Sequence, residues 1–195
     1  MLKDKLNSYL QLQLKFTSSE AAKIIYGLQG LLSELSKLLI ILAVSFPLGY
    51  TDEILVATIV LLSIRCNSGG LHFAHYTSCL IFTCSFYSAV IVLSSFPLTD
   101  AYLSFGLLFS LGIFILTGPI TSVLRPRLTP QEVQRYTHRV IFLLLIYSSV
   151  LILLDSLPYR KIIYWVIVLQ IFQLLCAKIA RKGESYEKFS YTKNL

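Results

Sequence analysis

Long apolar stretches, separated by short polar breaks, run along most of this chain of 195 residues. An α-helix needs about 20 predominantly apolar residues to cross the hydrocarbon core of a membrane. The second stretch is short, since its uninterrupted apolar run from Ile54 to Ile64 has 11 residues. The predicted fold class is all-α: a polytopic integral membrane protein with about six transmembrane helices in one membrane domain, residues 1–195. The predicted membrane segments are residues 24–46, 51–64, 76–96, 101–124, 140–157 and 162–178.

The polar segments between these stretches carry local structural signals. Thr17 to Glu20 has the Thr-x-x-Glu pattern of a capping box, which predicts the start of a helix. Residues 1–15 place four apolar side chains at helical spacing, which predicts an N-terminal amphipathic helix. We also predict that Gly118-Pro119 kinks the end of the fourth segment. Residues 125–139 are expected to form a basic loop, and residues 178–195 a polar tail.

Composition and charge indicate the solvent and the orientation of the chain. Hydrophobic residues make up 55% of the sequence and charged residues 14%, whereas soluble domains average about 45–50% and about 25%. We therefore expect membrane lipid to surround much of the surface. Of the 17 Lys and Arg residues, 14 fall at the termini and in loops on one predicted side. The positive-inside rule places that side, with both termini, in the cytoplasm. We expect no nucleic-acid partner.

The least lipid-like part of the predicted membrane region is the segment from Arg65 to Cys79. It contains one arginine, two adjacent glycines, two of the three histidines and two of the four cysteines. Irregular backbone at membrane depth survives only where protein covers it or a wet cavity lies beside it. Ionisable residues in such a place are candidates for function. Gly69-Gly70 allows a sharp turn or the close approach of another group.

Several interpretations of this segment are open from the residues alone. A nucleophilic cysteine needs a nearby base, because the thiolate is the attacking species. His75 and Cys79 are neighbours at i, i+4 on a continuous helix. His72 reaches Cys79 only from a non-helical lead-in, since seven residues of helix span about 10 Å. Alternatively, these side chains are packing residues. A metal site is not predicted, because no fourth ligand is evident and the spacing matches no common zinc pattern.

The pattern Arg65-x4-Gly70-x-His72-x6-Cys79, with Gly69 before Gly70, resembles the catalytic signature of the accessory gene regulator B (AgrB) family. The chain length, the six apolar segments and the predicted cytoplasmic termini are also similar to that family. Its members are quorum-sensing membrane endopeptidases of Gram-positive bacteria. They remove the C-terminal tail of a small AgrD-like precursor peptide and promote formation of a cyclic thiolactone signal.

The resemblance implies roles for individual residues. Cys79 corresponds to the nucleophile of a cysteine endopeptidase, His72 to its base, and Arg65, Gly69 and Gly70 to supporting positions. The implied reaction passes through a thioester on Cys79 and needs no cofactor, and the family also implies a homodimer. Six charged residues are weaker candidates for binding the peptide. Two of them could instead form a structural ion pair, and the four arginines could instead fix the topology and bind anionic lipid. The six residues are Glu34, Lys37, Arg125, Arg127, Arg135 and Arg139.

Two other functions are compatible with the sequence. A membrane transporter or exporter of a small peptide or solute also needs intramembrane polar residues, but it needs no ionised cysteine. A structural or signalling subunit needs neither. Incubation of the purified protein with a precursor peptide separates the three functions, because only the endopeptidase releases a tail fragment.

Overall fold

The structure is a computed structural model that describes residues 9, 11, 16–71, 75–120 and 129–193. Those residues form six α-helices and no β-strand, which confirms the all-α prediction. The predicted amphipathic helix over residues 1–15 lies almost wholly outside the described residues. The helices are α1 (Ser18–Leu48), α2 (Thr51–Ser68), α3 (Tyr76–Ser94), α4 (Asp100–Thr117), α5 (Pro130–Leu153) and α6 (Arg160–Lys193).

Five of these helices are long and apolar enough to cross a membrane, which confirms the prediction of a multi-pass membrane protein. The candidate spans are Gly30–Leu48, Tyr76–Ser94, Asp100–Thr117, Pro130–Leu153 and Arg160–Ala180. The remaining helix, α2, has 18 residues and carries acidic residues in its first turn and Arg65 in its last. It continues to Ser68, beyond the predicted end at Ile64, because no helix-breaking residue occurs before Gly69.

Helix ends differ from the predictions where capping chemistry outweighs hydropathy. Gly118 ends α4 with φ 68° and its N–H donates to Phe114 O, so the predicted kink is wrong and the helix stops. The predicted basic loop is wrong for residues 130–139, which belong to α5. Thr129 and Glu132 form a capping box there with Pro130 in the first turn, a strong helix start that hydropathy does not register. The predicted polar tail continues α6 as helix as far as Lys193.

The chain divides into two compact units, Met1–Gly49 and Tyr50–Leu195, and the predicted single domain stays a prediction. The first unit contains α1, whose N-terminus has the predicted capping box of Thr17 and Glu20. Glu34 and Lys37 form an ion pair on this helix, and the Lys37 side chain is 3% exposed.

The second unit is organised around α6. This helix contacts α2, α3, α4 and α5, and half of its membrane-spanning window is buried. Large side chains that are fully buried in this unit include Phe114, Leu151 and Ile167. Hydrogen bonds also join the helices: Thr58 Oγ1 lies 2.8 Å from Tyr87 Oη, and Ser63 Oγ lies 2.9 Å from Tyr147 Oη. These bonds fix α3 and α5 against α2, the helix that is not among the candidate spans, because side-chain hydrogen bonds act between helices even in lipid.

Candidate active site

The turn after α2 is shaped by Gly69. This residue ends the helix with φ 75° and ψ −154°, and its N–H donates to Arg65 O at 2.9 Å. Its backbone lies against Ile120, whose N–H donates to Ser68 O at 2.8 Å. A Cβ atom at position 69 would lie 1.8 Å from Ile120 O. Only glycine is therefore compatible with both the dihedral angles and the close approach.

Arg65 folds back over this turn from the last turn of α2. Its Nη2 donates a 3.0 Å hydrogen bond to Leu71 O. Gly70 is buried beneath it, and a Cβ atom there would lie 3.3 Å from Arg65 Nε. Arg65, Gly69 and Gly70 thus form one local structure, which fixes the backbone up to the residue before His72. The family resemblance implied a supporting position for Arg65, and in this structure the carbonyl that Arg65 holds belongs to Leu71.

Two buried glutamines on α6 complete this structure, and sequence analysis missed both. Gln170 Nε2 donates to Gly69 O at 3.0 Å, and Gln173 Nε2 lies 3.3 Å from where a Cβ atom of Gly70 would be. The available signal was the pair of amide side chains at i, i+3 within an otherwise apolar span, because polar residues in such spans are used for interhelical contacts or for function.

Cys79 lies in the first turns of α3 with only 6% of its surface exposed. Its N–H is bonded to His75 O at 3.2 Å, and its carbonyl accepts a 2.7 Å hydrogen bond from Thr83 Oγ1. The thiol therefore sits on a well-ordered helix, close in sequence to the turn held by Arg65. None of the four cysteines, all of which the structure describes, is in a disulfide bond.

His75 is not part of this helix. It is the N-cap residue of α3, with extended dihedral angles of φ −99° and ψ 136°, an exposed side chain and no side-chain capping hydrogen bond. The continuous helix that would have made His75 and Cys79 neighbours at i, i+4 is therefore absent. His72 lies outside the described residues, as do Arg125 and Arg127.

The other charged candidates that the structure describes are on α1 and α5. Arg135 and Arg139 are exposed at i, i+4 on α5, and the Arg139 guanidinium lies 6.0 Å from the centre of the Tyr136 ring. Glu34 and Lys37 pair with each other on α1. Within the described part of the chain, no group of three His, Cys, Asp or Glu side chains could hold a metal ion.

A pocket of about 220 Å³ opens between α3 and α6 beside the turn. Leu71 contributes to it from the turn, Phe82 and Phe86 from α3, and Gln173 and Cys176 from α6. Phe82 follows Cys79 by three residues on the same helix. The pocket is thus lined by the residue that follows Gly70 and by the helix that carries Cys79, and its wall is almost entirely apolar.

The comparison with protein families agrees with this arrangement. The model of the family described as accessory gene regulator B matches residues 3–174, which include every position of the motif. No curated protein and no solved structure matches the chain. The family has a role in quorum sensing and is known for processing peptides. Since the match covers most of the sequence, the chain belongs to the accessory gene regulator B family.

Proposed function

We propose that the protein is a membrane cysteine endopeptidase that removes the C-terminal tail of a precursor of a cyclic signalling peptide. The observation that carries the proposal is the turn formed by Arg65, Gly69 and Gly70. These motif positions are separated in the sequence but pack together just before His72. Cys79 follows near the start of the next helix and is buried. A rigid turn of this kind suits a base and a nucleophile, here His72 and Cys79, that must adopt the same relative geometry in every catalytic cycle.

In the proposed reaction His72 takes the proton of the Cys79 thiol, and the thiolate attacks the carbonyl carbon of the scissile bond. The C–N bond breaks, and His72 returns the proton to the amine of the departing tail. The peptide is left as a thioester on Cys79 Sγ. A thiol of the same peptide then attacks this thioester, forms the thiolactone and displaces Cys79, which regains a proton.

Burial of Cys79 supports the second half of this reaction. Thioester exchange is nearly balanced, so ring closure succeeds only if water is kept from the thioester while the peptide thiol approaches. With 6% of its surface exposed, Cys79 is already screened from solvent. The first-turn N–H groups of Thr77 and Ser78, which precede the first intrahelical donor at Cys79, are suited to stabilising an oxyanion.

The position of His75 supports His72 as the base. His75 caps α3 from an extended conformation and exposes its side chain, so helix geometry gives it no advantage. His72 directly follows Leu71, whose carbonyl is held by Arg65. The restrained end of the turn is therefore next to His72 in the chain.

Basic side chains on α5 are suited to binding an acidic tail. Arg135 and Arg139 are exposed and share one helical face, which is expected to attract a carboxylate-rich segment. The Lys37–Glu34 pair on α1 is a weaker proposed contact to the peptide.

The protein is further proposed to be a homodimer in the cell membrane, with both termini and the active site on the cytoplasmic side.

The deciding experiment is tail release by the purified protein from a precursor peptide. Cys79→Ala and Cys79→Ser should abolish release. Mass spectrometry should detect the peptide bound to the protein through a thioester only when Cys79 is present. Cys84→Ser is the matched control, because Cys84 is a half-buried thiol on the same helix. It should keep most of the activity. A Cys79→Ala protein that releases the tail at the wild-type rate would contradict the mechanism, whereas no release by any variant would favour a transporter or a structural subunit.

A further inference from the structure

The amide of Gln173 is buried without a partner. Its side chain lies on α6 with the residue 4% exposed, and neither Nε2 nor Oε1 has a hydrogen-bond partner among the residues that the structure describes. Gln170, one turn earlier, differs because its Nε2 donates to Gly69 O. Burial of an unpaired amide is unfavourable. Its presence therefore suggests a ligand that supplies the missing acceptor and donor.

The location of Gln173 indicates where this ligand would lie. Its Nε2 is beside Gly70, close to the Arg65 side chain, and its side chain also lines the apolar pocket with Leu71 and Phe82. Gln173 is thus the polar group between the turn that leads to His72 and the pocket next to the helix of Cys79. Both amide atoms are covered in the free protein, so a molecule in the pocket reaches them only when the Gln173 side chain turns toward it.

We propose that Gln173 binds the main chain of the substrate peptide beside the scissile bond, with an apolar side chain of the peptide in the pocket. This inference rests on the proposed function. A peptide group offers one C=O for Nε2 and one N–H for Oε1, which matches both unpaired atoms. A lipid acyl chain offers neither group. The pocket, at about 220 Å³ and with an almost wholly apolar wall, suits a single apolar side chain.

Gln173→Met tests the role of the amide at nearly constant shape. The KM for tail release should rise about tenfold with kcat changed less than about threefold, because a hydrogen bond to bound substrate is lost. The midpoint of thermal unfolding in detergent should not fall, since no internal partner is lost. Gln170→Met is the matched control, and it should lower that midpoint because the bond to Gly69 O disappears. A lowered midpoint in Gln173→Met, or a fall in kcat at unchanged KM, overturns the inference.

The pocket is tested by two substitutions on adjacent residues of α3. Ala89 lines the pocket, and the exposed Ser88 does not. Ala89→Phe should raise the KM by about tenfold, because the added ring occupies the space of the peptide side chain. Ser88→Phe should leave it unchanged. An unchanged KM in Ala89→Phe would mean that the pocket holds lipid or nothing, which overturns the assignment.

The failure of this inference can be told apart from the failure of the proposed function. If wild-type protein releases the tail and Cys79→Ala does not, the proposed function stands and the KM of Gln173→Met decides the inference. If tail release does not depend on Cys79, the affinity for the precursor peptide decides the inference instead. A fluorescent precursor peptide should then bind the Cys79→Ala protein about tenfold more tightly than the Cys79→Ala, Gln173→Met protein. Equal dissociation constants overturn the inference.

Discussion

Replacement of Gly69 by alanine tests whether the turn before His72 depends on close packing or only on a permissive dihedral angle. Gly69 and Gly118 end α2 and α4 in the same way, with φ values of 75° and 68°. Each N–H caps the preceding helix, at 2.9 Å and 2.8 Å respectively. They differ in surroundings, because a Cβ atom at Gly69 would lie 1.8 Å from Ile120 O, whereas one at Gly118 would have nothing within 4 Å. Gly118→Ala is therefore the matched control for Gly69→Ala.

The expected loss of stability follows from these surroundings. Alanine at either position adopts a sparsely populated backbone region, at a cost of about 1–3 kcal/mol. At Gly69 the new methyl group must also move more than about 1 Å from Ile120 O, because Cβ atoms essentially never approach within 3.0 Å. That movement disrupts the bond from Ile120 N to Ser68 O and the bond from Gln170 to Gly69 O. Each contributes about 1 kcal/mol, so Gly69→Ala should lose about 2 kcal/mol more stability than Gly118→Ala.

The assay is unfolding of the detergent-solubilised protein, followed by circular dichroism, together with tail release at a temperature where both variants are folded. Gly69→Ala should release the tail at least about 100-fold more slowly than Gly118→Ala, because the displaced turn leads directly to His72. Equal destabilisation of the two variants would refute the reasoning, since it would mean that the contact with Ile120 contributes nothing beyond the dihedral angle.

Three further predictions concern the base, the topology and the arginine of the turn. His72→Ala should reduce tail release by about 10²–10⁴-fold, with no further loss in the double variant that also lacks the nucleophile, whereas His75→Ala should reduce it only modestly. The opposite ranking of the two histidines would disprove the assignment. A cysteine at Ser156 should be labelled from outside intact cells and one at Thr129 should not, because α5 separates these positions by about 36 Å of helix. The reverse labelling would invert the topology. Arg65→Met should cost about 1.5–3 kcal/mol in detergent unfolding, since it removes a charged donor from Leu71 O. An unchanged stability would show that this bond does not hold the turn.

Much of the fold is encoded in local sequence signals. The apolar stretches are long enough to predict membrane helices without knowledge of their neighbours, because a span must satisfy its own backbone hydrogen bonds. The capping box at Thr17 was also predictable, because the two residues that form it are only three positions apart in the sequence. The equivalent box at Thr129 carries an equally local signal, but hydropathy alone puts the start of α5 at residue 140, ten residues too late.

The candidate site was only partly predictable. The Gly-Gly pair indicated a turn, because adjacent glycines relax the backbone wherever they occur. The sequence by itself therefore determined that a polar turn interrupts the apolar helices before Cys79. Tertiary structure alone decided that Gly69 packs against Ile120 and that Arg65 folds onto Leu71. It also placed the two glutamines of α6 beside the turn. Contacts with α6 join residues about 100 positions apart, and their geometry depends on how the helices pack, which no local pattern specifies.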